Sequence, residues 1–464
     1  MVEKLLPAVC SSAVFHVSIV CLAFLSSYYV TAIPRDTGIP AIARYFNTKG
    51  RYEEANPYLL DDILAINSSA VKPPSPTCTP VHLTAIIRHG TRFPTAPNIR
   101  KLDKFHSLVK TEADGDLSFL PQLKAWKMWY KEEMDGRLVE KGRADHRHLA
   151  QRLVKTFSSL LTKENLLGGR VKFITSSKHR CVNSTLAFQQ GLKKHFDIEG
   201  KDFNFTLNDT LMRFFDTCPR LVETVEKNKK AVEEVTRFNN GPEMKRVQEK
   251  LADRLQIPYA NVTMDGVEAA FYLCAYEFTI LGVNTPWCQL FDEVDAQVVE
   301  YSGDLKQYWK KGFGHDINSK ASCILFHDLF NRLSAVASQV KAGQPVSEVV
   351  TVQIGHAETL LPLLTLLGLF KDNTSLTSIN FASQLGRAFR CGQIMPYAAN
   401  LLVALYNCPD GVRLQVRVNE KPVTLPGLAG PSPLYENVKK QYDQLLTGCN
   451  QDTVCQLNNS QGQN

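Results

Sequence analysis

The 464-residue sequence has no internal repeat and no low-complexity tract, and beyond residues 1–32 it has no window apolar enough to cross a bilayer. Neither finger-type spacing nor alternation of aromatic and basic residues is present, so nothing supports a nucleic-acid partner. A metal-ligand pattern is also missing, because His146 and His148 stand two apart on a predicted helix and point to different faces. We therefore expect neither a metal nor a cofactor.

What the sequence does contain is the composition of a large globular protein. Hydrophobic residues make up 44% and charged residues 21% of the chain, which suits one large buried core and one sizeable insertion. The net charge of +7 suits an anionic partner. The composition therefore predicts a folded protein whose surface attracts anions.

Residues 1–32 are typical of a signal peptide. Lys4 precedes an apolar run over residues 13–25, and residues 30–32 place small side chains at the spacing that a signal peptidase reads. Serines and tyrosines after the run shorten it below a comfortable membrane span, which favours cleavage over an uncleaved anchor. After cleavage we expect no membrane span.

Cysteines and sequons indicate the secretory pathway. Ten of the 12 cysteines remain once Cys10 and Cys21 leave with the signal peptide, and an even number suits an oxidising compartment. Pairing cannot be read from the sequence, apart from a local guess that joins Cys449 to Cys455. Sequons occur at Asn67, Asn204, Asn208, Asn261, Asn373 and Asn458. No Lys-Asp-Glu-Leu tetrapeptide ends the chain, so we expect either the endoplasmic reticulum lumen or secretion.

Three apolar runs of strand length each end in a polar turn, and a helix-compatible segment follows each turn. These strands are predicted at residues 81–87, 171–175 and 349–354. The alternation predicts an α/β fold with a mostly parallel central sheet flanked by helices. Ligands bind beyond the carboxyl ends of such strands, so the three polar turns mark the expected site.

The domain organisation follows from these elements. Residues 33–77 form an N-terminal arm, and residues 78–200 and 320–464 form the α/β core. Residues 201–319 are charged and helix-prone, which predicts a mostly helical cap inserted over the site. Within the core, apolar periodicity predicts a helix at Leu138 to Leu161. A second buried helix is predicted at Leu360 to Phe370, with Pro362 in its first turn.

The first and second polar turns carry residues suited to phosphate chemistry. A phosphate monoester carries close to two negative charges, which Arg88, Arg92 and Arg180 could neutralise with bidentate hydrogen bonds. His89 lies between the first two, and a neutral imidazole nitrogen can attack phosphorus and form a phosphohistidine. Gly90 would let the backbone pass close to the phosphate.

The third turn supplies the acid that the reaction needs. Glu358 could protonate the leaving oxygen, and His356 could donate a hydrogen bond to the phosphoryl group. Once ionised, Glu358 could activate the water that hydrolyses the phosphohistidine. Each residue alone has a common structural interpretation, since Arg180 could form a salt bridge, His356 could fill the core and Glu358 could favour a first helical turn. Their joint occurrence at strand ends favours a site.

The segment Arg88 to Pro94 resembles the Arg-His-Gly-x-Arg-x-Pro signature of the histidine acid phosphatases. Most members carry His-Asp as their distal pair, whereas this chain has His356-Ala357-Glu358, the form found in members that act on inositol polyphosphates. The resemblance covers roughly residues 40 to 450. It implies a fold of the histidine phosphatase type and a nucleophile at His89.

The resemblance also implies the other roles and the substrates. Phosphate-binding arginines map onto Arg88, Arg92 and Arg180, the distal histidine onto His356, and the general acid onto Glu358. The implied reactions are hydrolysis of phytate and lower inositol phosphates and removal of the 3-phosphate of 2,3-bisphosphoglycerate. An endoplasmic reticulum lumenal setting is implied too, although no retention signal is present.

Substrate preference should come from basic residues at the rim of the site. The candidates are Lys178, Arg100, Lys101, Lys104, Arg213, Lys306, Lys310 and Lys311. Lys178 is favoured because it lies in the same turn as Arg180, while the others fit a solvated surface equally well. For Arg213 the alternative is a structural pair with Asp216.

Two other functions remain open at this stage. A phosphoglycerate mutase-like enzyme would share the Arg-His-Gly start and the phosphohistidine, but the secretory features and the Arg92-Phe93-Pro94 continuation count against it. A catalytically silent secreted protein could bind polyanions with its arginines alone. Such a protein would not need Glu358. The oligomeric state is not indicated.

Overall fold

The structure, a computed structural model, describes residues 38–67 and 72–457. The predicted signal peptide, the last sequon and the final residues that lack a retention tetrapeptide lie outside the described residues. In the part that is described, no helix is both long and apolar enough to reach across a membrane.

A seven-stranded sheet forms the centre of the fold, in the order β3-β2-β4-β1-β5-β6-β7. Its strands are β1 (Thr79–Arg88), β2 (Val171–Thr175), β3 (Thr206–Leu207), β4 (Val350–Gly355), β5 (Asn400–Cys408), β6 (Gly411–Val418) and β7 (Lys421–Val423). The pairs β1–β4, β2–β4 and β2–β3 are parallel, whereas β1–β5, β5–β6 and β6–β7 are antiparallel. The α/β fold is confirmed, with a mixed central sheet.

The antiparallel half of the sheet, residues 400–423, was not predicted. Eight of the nine residues of β5 are buried, so this strand lacks the alternation that marks a half-exposed antiparallel strand. It lies beside β1, itself buried from His82 onward because it is covered on both faces. Burial of both faces therefore removed the pattern that would have identified β5.

Helices surround the sheet. In chain order they are α1 (Tyr52–Ala55), α2 (Ala96–Glu112), α3 (Leu120–Ala125), α4 (Glu140–Thr156), α5 (Lys163–Leu167), α6 (His179–Phe196), α7 (Asp209–Met212), α8 (Pro219–Leu221), α9 (Glu233–Asn239), α10 (Pro242–Leu255), α11 (Met264–Leu281), α12 (Glu293–Lys311), α13 (Asp316–Lys320), α14 (Cys323–Lys341), α15 (Ala357–Leu366), α16 (Cys391–Ile394), α17 (Tyr435–Gln441), α18 (Asp443–Gly448) and α19 (Gln451–Cys455). Residues 201–319 contain mainly helices, but β3 joins the central sheet from within this segment. The division into core and cap stays a prediction.

Both predicted core helices are present with shorter bounds. The first is α4, and the second is α15, which begins directly after the N-cap residue His356. Pro362 therefore lies inside α15 and not in its first turn, contrary to the prediction. The reason is that the polar turn is short, so the helix starts before the apolar run does. Lacking an N–H group, Pro362 cannot donate to the carbonyl of Glu358.

Four disulfides link distant parts of the described chain. They join Cys78 to Cys408, Cys218 to Cys455, Cys274 to Cys288, and Cys323 to Cys449. The guessed Cys449–Cys455 bond is wrong, because each of these cysteines meets a partner brought near by tertiary packing. Cys181 and Cys391 are buried free thiols. Four disulfides agree with maturation in an oxidising compartment.

Candidate phosphate-binding site

The ends of β1 and β4 bring two histidines together. Arg88 ends β1 directly opposite Gly355, and the backbone N–H of His89 donates to the Gly355 carbonyl at 2.9 Å. The rings of His89 and His356 have their centroids 5.6 Å apart. Parallel pairing of adjacent strands therefore places residues 267 positions apart in one site, as the strand-end rule predicts.

The His89 imidazole is held in one tautomer. Its Nδ1 lies 2.9 Å from the Gly90 carbonyl oxygen, which can only accept, so Nδ1 carries the hydrogen. The Nε2 lone pair is then free. Burial lowers the pKa of His89 well below its usual value, and the positive charges of Arg88 and Arg180 lower it further. The ring is therefore neutral and able to act as a nucleophile.

The Arg88 side chain is held in place by backbone carbonyl groups of other residues. Its Nη1 donates to the carbonyl oxygens of Thr48 at 2.8 Å and Met395 at 2.5 Å, and its guanidinium lies 4.6 Å from the Tyr397 ring centroid. Burial lowers the pKa of Arg88 to about 10, which leaves the group charged at neutral pH. Thr48 belongs to the N-terminal arm, so this arm helps to build the site.

Each of the three arginines leaves part of its hydrogen-bonding capacity unused. Arg92 Nη1 donates to the Phe93 carbonyl at 2.8 Å, and Arg180 Nη2 lies 3.3 Å from His356 Nδ1. Yet the Nε atoms of Arg88, Arg92 and Arg180 are buried without a hydrogen-bond partner among the described residues. Buried donors of this kind are costly unless a ligand accepts their hydrogen bonds. An oxyanion with several equatorial oxygens meets that need.

His356 is positioned by residues that the sequence analysis missed. Ser176 Oγ lies 2.9 Å from Nε2, and the thiol of Cys181 lies 3.5 Å from the same nitrogen. Burial first, and then the charge of Arg180, lower the pKa of His356 to about 3, so this ring is also neutral. Ser176 lies in the turn after β2, and Cys181 directly follows Arg180 in α6. Their position beside Arg180 is the signal that could have identified them.

Glu358, in the first turn of α15, forms an ion pair. Lys311 Nζ lies 2.6 Å from Glu358 Oε1, and the glutamate side chain is 37% exposed. Burial raises the pKa of Glu358, but the charge and hydrogen bond of Lys311 outweigh this effect and hold the pKa well below its usual range. Glu358 is therefore a carboxylate in the structure. Lys311, expected at the rim, instead contacts this side chain.

Gly90 is required for a packing reason. A Cβ atom at this position would lie 2.3 Å from the carbonyl oxygen of Gly142 in α4, closer than real contacts allow. Thr91 follows and donates from Oγ1 to Asp145 Oδ2 at 2.9 Å. The loop after His89 is therefore clamped to α4. This contact with the helix accounts for the glycine, where the sequence had suggested close approach to phosphate.

Most of the predicted rim residues are already engaged. Ion pairs join Arg100 to Glu132 at 3.0 Å, Lys101 to Asp265 at 2.6 Å, Lys310 to Glu226 at 2.7 Å, and Arg213 to Asp216 at 2.5 Å. The last of these is the structural pair considered for Arg213. Lys178 is exposed two residues before Arg180, and Lys104 lines a separate cavity of about 640 Å³.

A cavity of about 240 Å³ contains a lysine that the sequence analysis missed. Its basic lining residues are Lys49, Lys101, Lys306 and Lys310. Lys49 directly follows Thr48, the residue that binds Arg88, and its Nζ donates to Tyr272 Oη at 3.0 Å. Burial lowers the pKa of Lys49 to about 7. The positive charges of Lys306 and Arg92 also lower this pKa, whereas the negative charge of Glu268 raises it. An isolated lysine before a glycine carries no sequence signal.

Across residues 38–67 and 72–457, no group of three or more His, Cys, Asp or Glu side chains could hold a metal ion.

Comparisons with known proteins agree on one family. Residues 81–420 match the Histidine phosphatase superfamily (branch 2). The chain is 43% identical over 455 residues to multiple inositol polyphosphate phosphatase 1 of Homo sapiens, covering 91% of each chain. It is also 43% identical over 419 residues to the Gallus gallus protein of the same name, covering 89% of this chain and 92% of that one.

Two crystal structures show the same fold. The phytase from D. castellii has a TM-score of 0.70 at 17% identity, covering 94% of this chain and 92% of that chain. Multiple inositol polyphosphate phosphatase from Bifidobacterium longum, in complex with inositol hexasulfate, has a TM-score of 0.65 at 15% identity, covering 87% and 98%. The family match contains all six predicted catalytic residues. This chain belongs to branch 2 of the histidine phosphatase superfamily.

Proposed function

We propose that this phosphatase hydrolyses phytate and lower inositol polyphosphates through a phosphohistidine on His89. The observation that carries the proposal is a buried, neutral imidazole with a free Nε2, placed beside three arginines whose Nε atoms lack partners among the described residues. This arrangement suits a phosphoryl group better than a carboxylate, because three separate guanidiniums can each meet a different oxygen.

In the first half-reaction, His89 Nε2 attacks phosphorus. The N–P bond forms as the ester P–O bond breaks, and the leaving alkoxide takes a proton from the Glu358 carboxyl group. Glu358 is a carboxylate in the structure, so it must take up a proton from solvent before this step. Arg88, Arg92 and Arg180 stabilise the charge on the equatorial oxygens. Neutral His356 accepts from Arg180 Nη2 at Nδ1 and uses its Nε2–H toward Ser176 Oγ, so it orients Arg180 and does not itself donate to the phosphoryl group, contrary to the prediction from the sequence.

In the second half-reaction, Glu358 acts as a base. Its carboxylate takes a proton from water as the water oxygen bonds to phosphorus, and the N–P bond to His89 breaks. Inorganic phosphate leaves and His89 is again neutral, while Glu358 releases its new proton to solvent when it pairs with Lys311 again. The cycle consumes one ester and one water and produces one alcohol and one phosphate.

The substrate class rests on relatives and on the basic cavity. The Homo sapiens relative is named for inositol polyphosphates, and the Bifidobacterium longum structure holds inositol hexasulfate. The 240 Å³ cavity presents Lys49, Lys101, Lys306 and Lys310, which suits a ligand with several phosphates. Lys49 directly follows Thr48, the partner of Arg88. We also propose 2,3-bisphosphoglycerate, cleaved at its 3-phosphate, as a second substrate.

A silent polyanion-binding protein accounts for fewer observations. It would need the arginines, but it would need neither the single tautomer of His89 nor a carboxylate beside the phosphate site. A mutase-like enzyme is disfavoured because the family match is to branch 2 over residues 81–420. Four disulfides suit a protein that acts in the lumen of the secretory pathway or outside the cell. We further propose that residues 201–319 act as a cap over the core.

The decisive experiment uses purified protein and phytate without added metal. Wild type should release phosphate, and acid quenching during turnover should yield a phosphorylated peptide containing His89. His89→Ala should lower phosphate release by at least about 10⁴-fold, since the covalent route is lost. His148→Ala, on the outer part of α4, is the matched control and should retain activity. Equal release from wild type and His89→Ala would contradict the proposal.

A further inference from the structure

The ion pair between Lys311 and Glu358 connects the predicted cap to the core. Lys311 is the last residue of α12, and Glu358 lies in the first turn of α15. Their side chains are 16% and 37% exposed, with Nζ and Oε1 2.6 Å apart. Glu358 is the one ion-pair partner that the described residues provide for Lys311. The pair is thus partly open to solvent.

Every charged group around Glu358 favours its ionised form. Lys311 contacts it from α12, Arg88 and Arg92 act from the end of β1 and the loop after it, and Arg180 acts from α6. Neutral His356 and the Cys181 thiol are the remaining titratable neighbours. A bound phosphate group would offset the arginines. It would leave the contact with Lys311 in place, and a proton donor cannot work while it stays ionised.

We propose that Lys311 makes proton donation by Glu358 conditional on a second phosphate group of the substrate. A phosphate next to the scissile one draws Lys311 away from Glu358, and the freed carboxylate takes from solvent the proton that the leaving oxygen needs. A monophosphate has no such group, so Lys311 stays paired and Glu358 stays ionised. This inference rests on the proposed function, in which Glu358 is the acid.

The chemistry of the two groups makes the exchange feasible. The ion pair is partly open to solvent, and a phosphate dianion offers two charges and several acceptor oxygens, so it can compete with Glu358 for Lys311. The lysine ammonium sits on a flexible four-carbon stem and can turn between acceptors, which a fixed guanidinium fork does less readily. Lys310, the preceding residue, is held by Glu226 and points to a different partner. Selectivity for substrates with several phosphates would thus arise from Glu358, the general acid.

The test compares phytate with myo-inositol monophosphate, because both have alkoxide leaving groups that need a proton. Lys311→Met should lower the ratio of kcat/KM for phytate to kcat/KM for the monophosphate by at least about tenfold, through a rise in monophosphate turnover. The basic limb of the pH profile for the monophosphate should move to higher pH. Lys311→Arg, which keeps the charge beside Glu358, should not raise monophosphate turnover.

Controls separate this inference from the proposed function. Lys341→Met breaks a remote pair with Glu436 and should leave both substrates unaffected. If Lys311→Met does not fold by circular dichroism, Lys311→Gln replaces it and must show the same loss of selectivity. Equal proportional changes for both substrates with an unmoved pH profile would overturn the inference. Absence of phytate turnover by wild type would instead overturn the proposed function.

Discussion

The sheet end, where β1 and β4 stop, and the wall formed by α12 hold their charged groups in opposite ways. At the sheet end, His89, Arg88 and His356 are at most 4% exposed and are anchored by backbone carbonyls or a buried hydroxyl. On the other wall, Lys306 is exposed and Lys310 is half-buried, and both project from α12 on long stems. Rigid groups suit a reaction with one geometry, and adjustable groups suit phosphates in several positions.

The two regions also differ in how they set charge. Burial keeps the histidines of the sheet end neutral, which preserves a nucleophile among cations. On the other wall, the ion pair with Lys311 keeps Glu358 charged. Glu358 connects the two regions, because it lies in α15 at the sheet end and pairs with Lys311 on the other wall. Substitutions on each side should therefore have effects of different size.

The largest expected effect tests whether Glu358 acts as acid and base in the reaction at the sheet end. Glu358→Gln should lower phytate turnover by about 10²–10⁴-fold, the contribution of one general acid and base. The phosphohistidine should also accumulate, because the amide cannot take a proton from water. Quenched-flow sampling of phosphorylated protein measures both effects. Glu436→Gln, a remote carboxylate, is the control, and full activity of Glu358→Gln would place the acid elsewhere.

A smaller effect tests the anchoring of the sheet end. Ser176→Ala removes the hydroxyl 2.9 Å from His356 Nε2, so the ring should lose its fixed orientation. Phytate kcat should fall about 10- to 100-fold with little change in KM, which corresponds to the loss of one buried hydrogen bond. Ser177→Ala is the matched control, because that exposed hydroxyl bonds to Asp209. An equal loss in both variants would show that His356 needs no such partner.

The smallest expected effect tests whether Lys49 helps to bind the phosphate groups of phytate. Because burial lowers its pKa to about 7, Lys49 is charged below that pH and neutral above it, and only the charged form attracts phosphate. Lys49→Met should raise KM for phytate by up to about tenfold at pH 6, and the difference from wild type should shrink by pH 8.5. Steady-state KM across that range is the measurement. A difference that does not depend on pH would exclude this role for Lys49.

Sequence reasoning succeeded where a segment carries its own information. The motif Arg88 to Arg92, the turn at Arg180 and the pair His356 and Glu358 each sit at a strand end, and periodicity identifies those strands. It failed for Ser176, Lys49 and the partner of Lys311, since each is defined by a residue far away in the chain. The wrong Cys449–Cys455 bond has the same cause.

By itself the sequence determined the α/β class, the family signature and the identities of the six residues proposed for catalysis, because these depend on local order along the chain. The tertiary structure decided the tautomer of His89, the neutrality of both histidines and the ionised state of Glu358. These properties depend on burial and on charges brought together by folding, and distance in space, not in sequence, sets both.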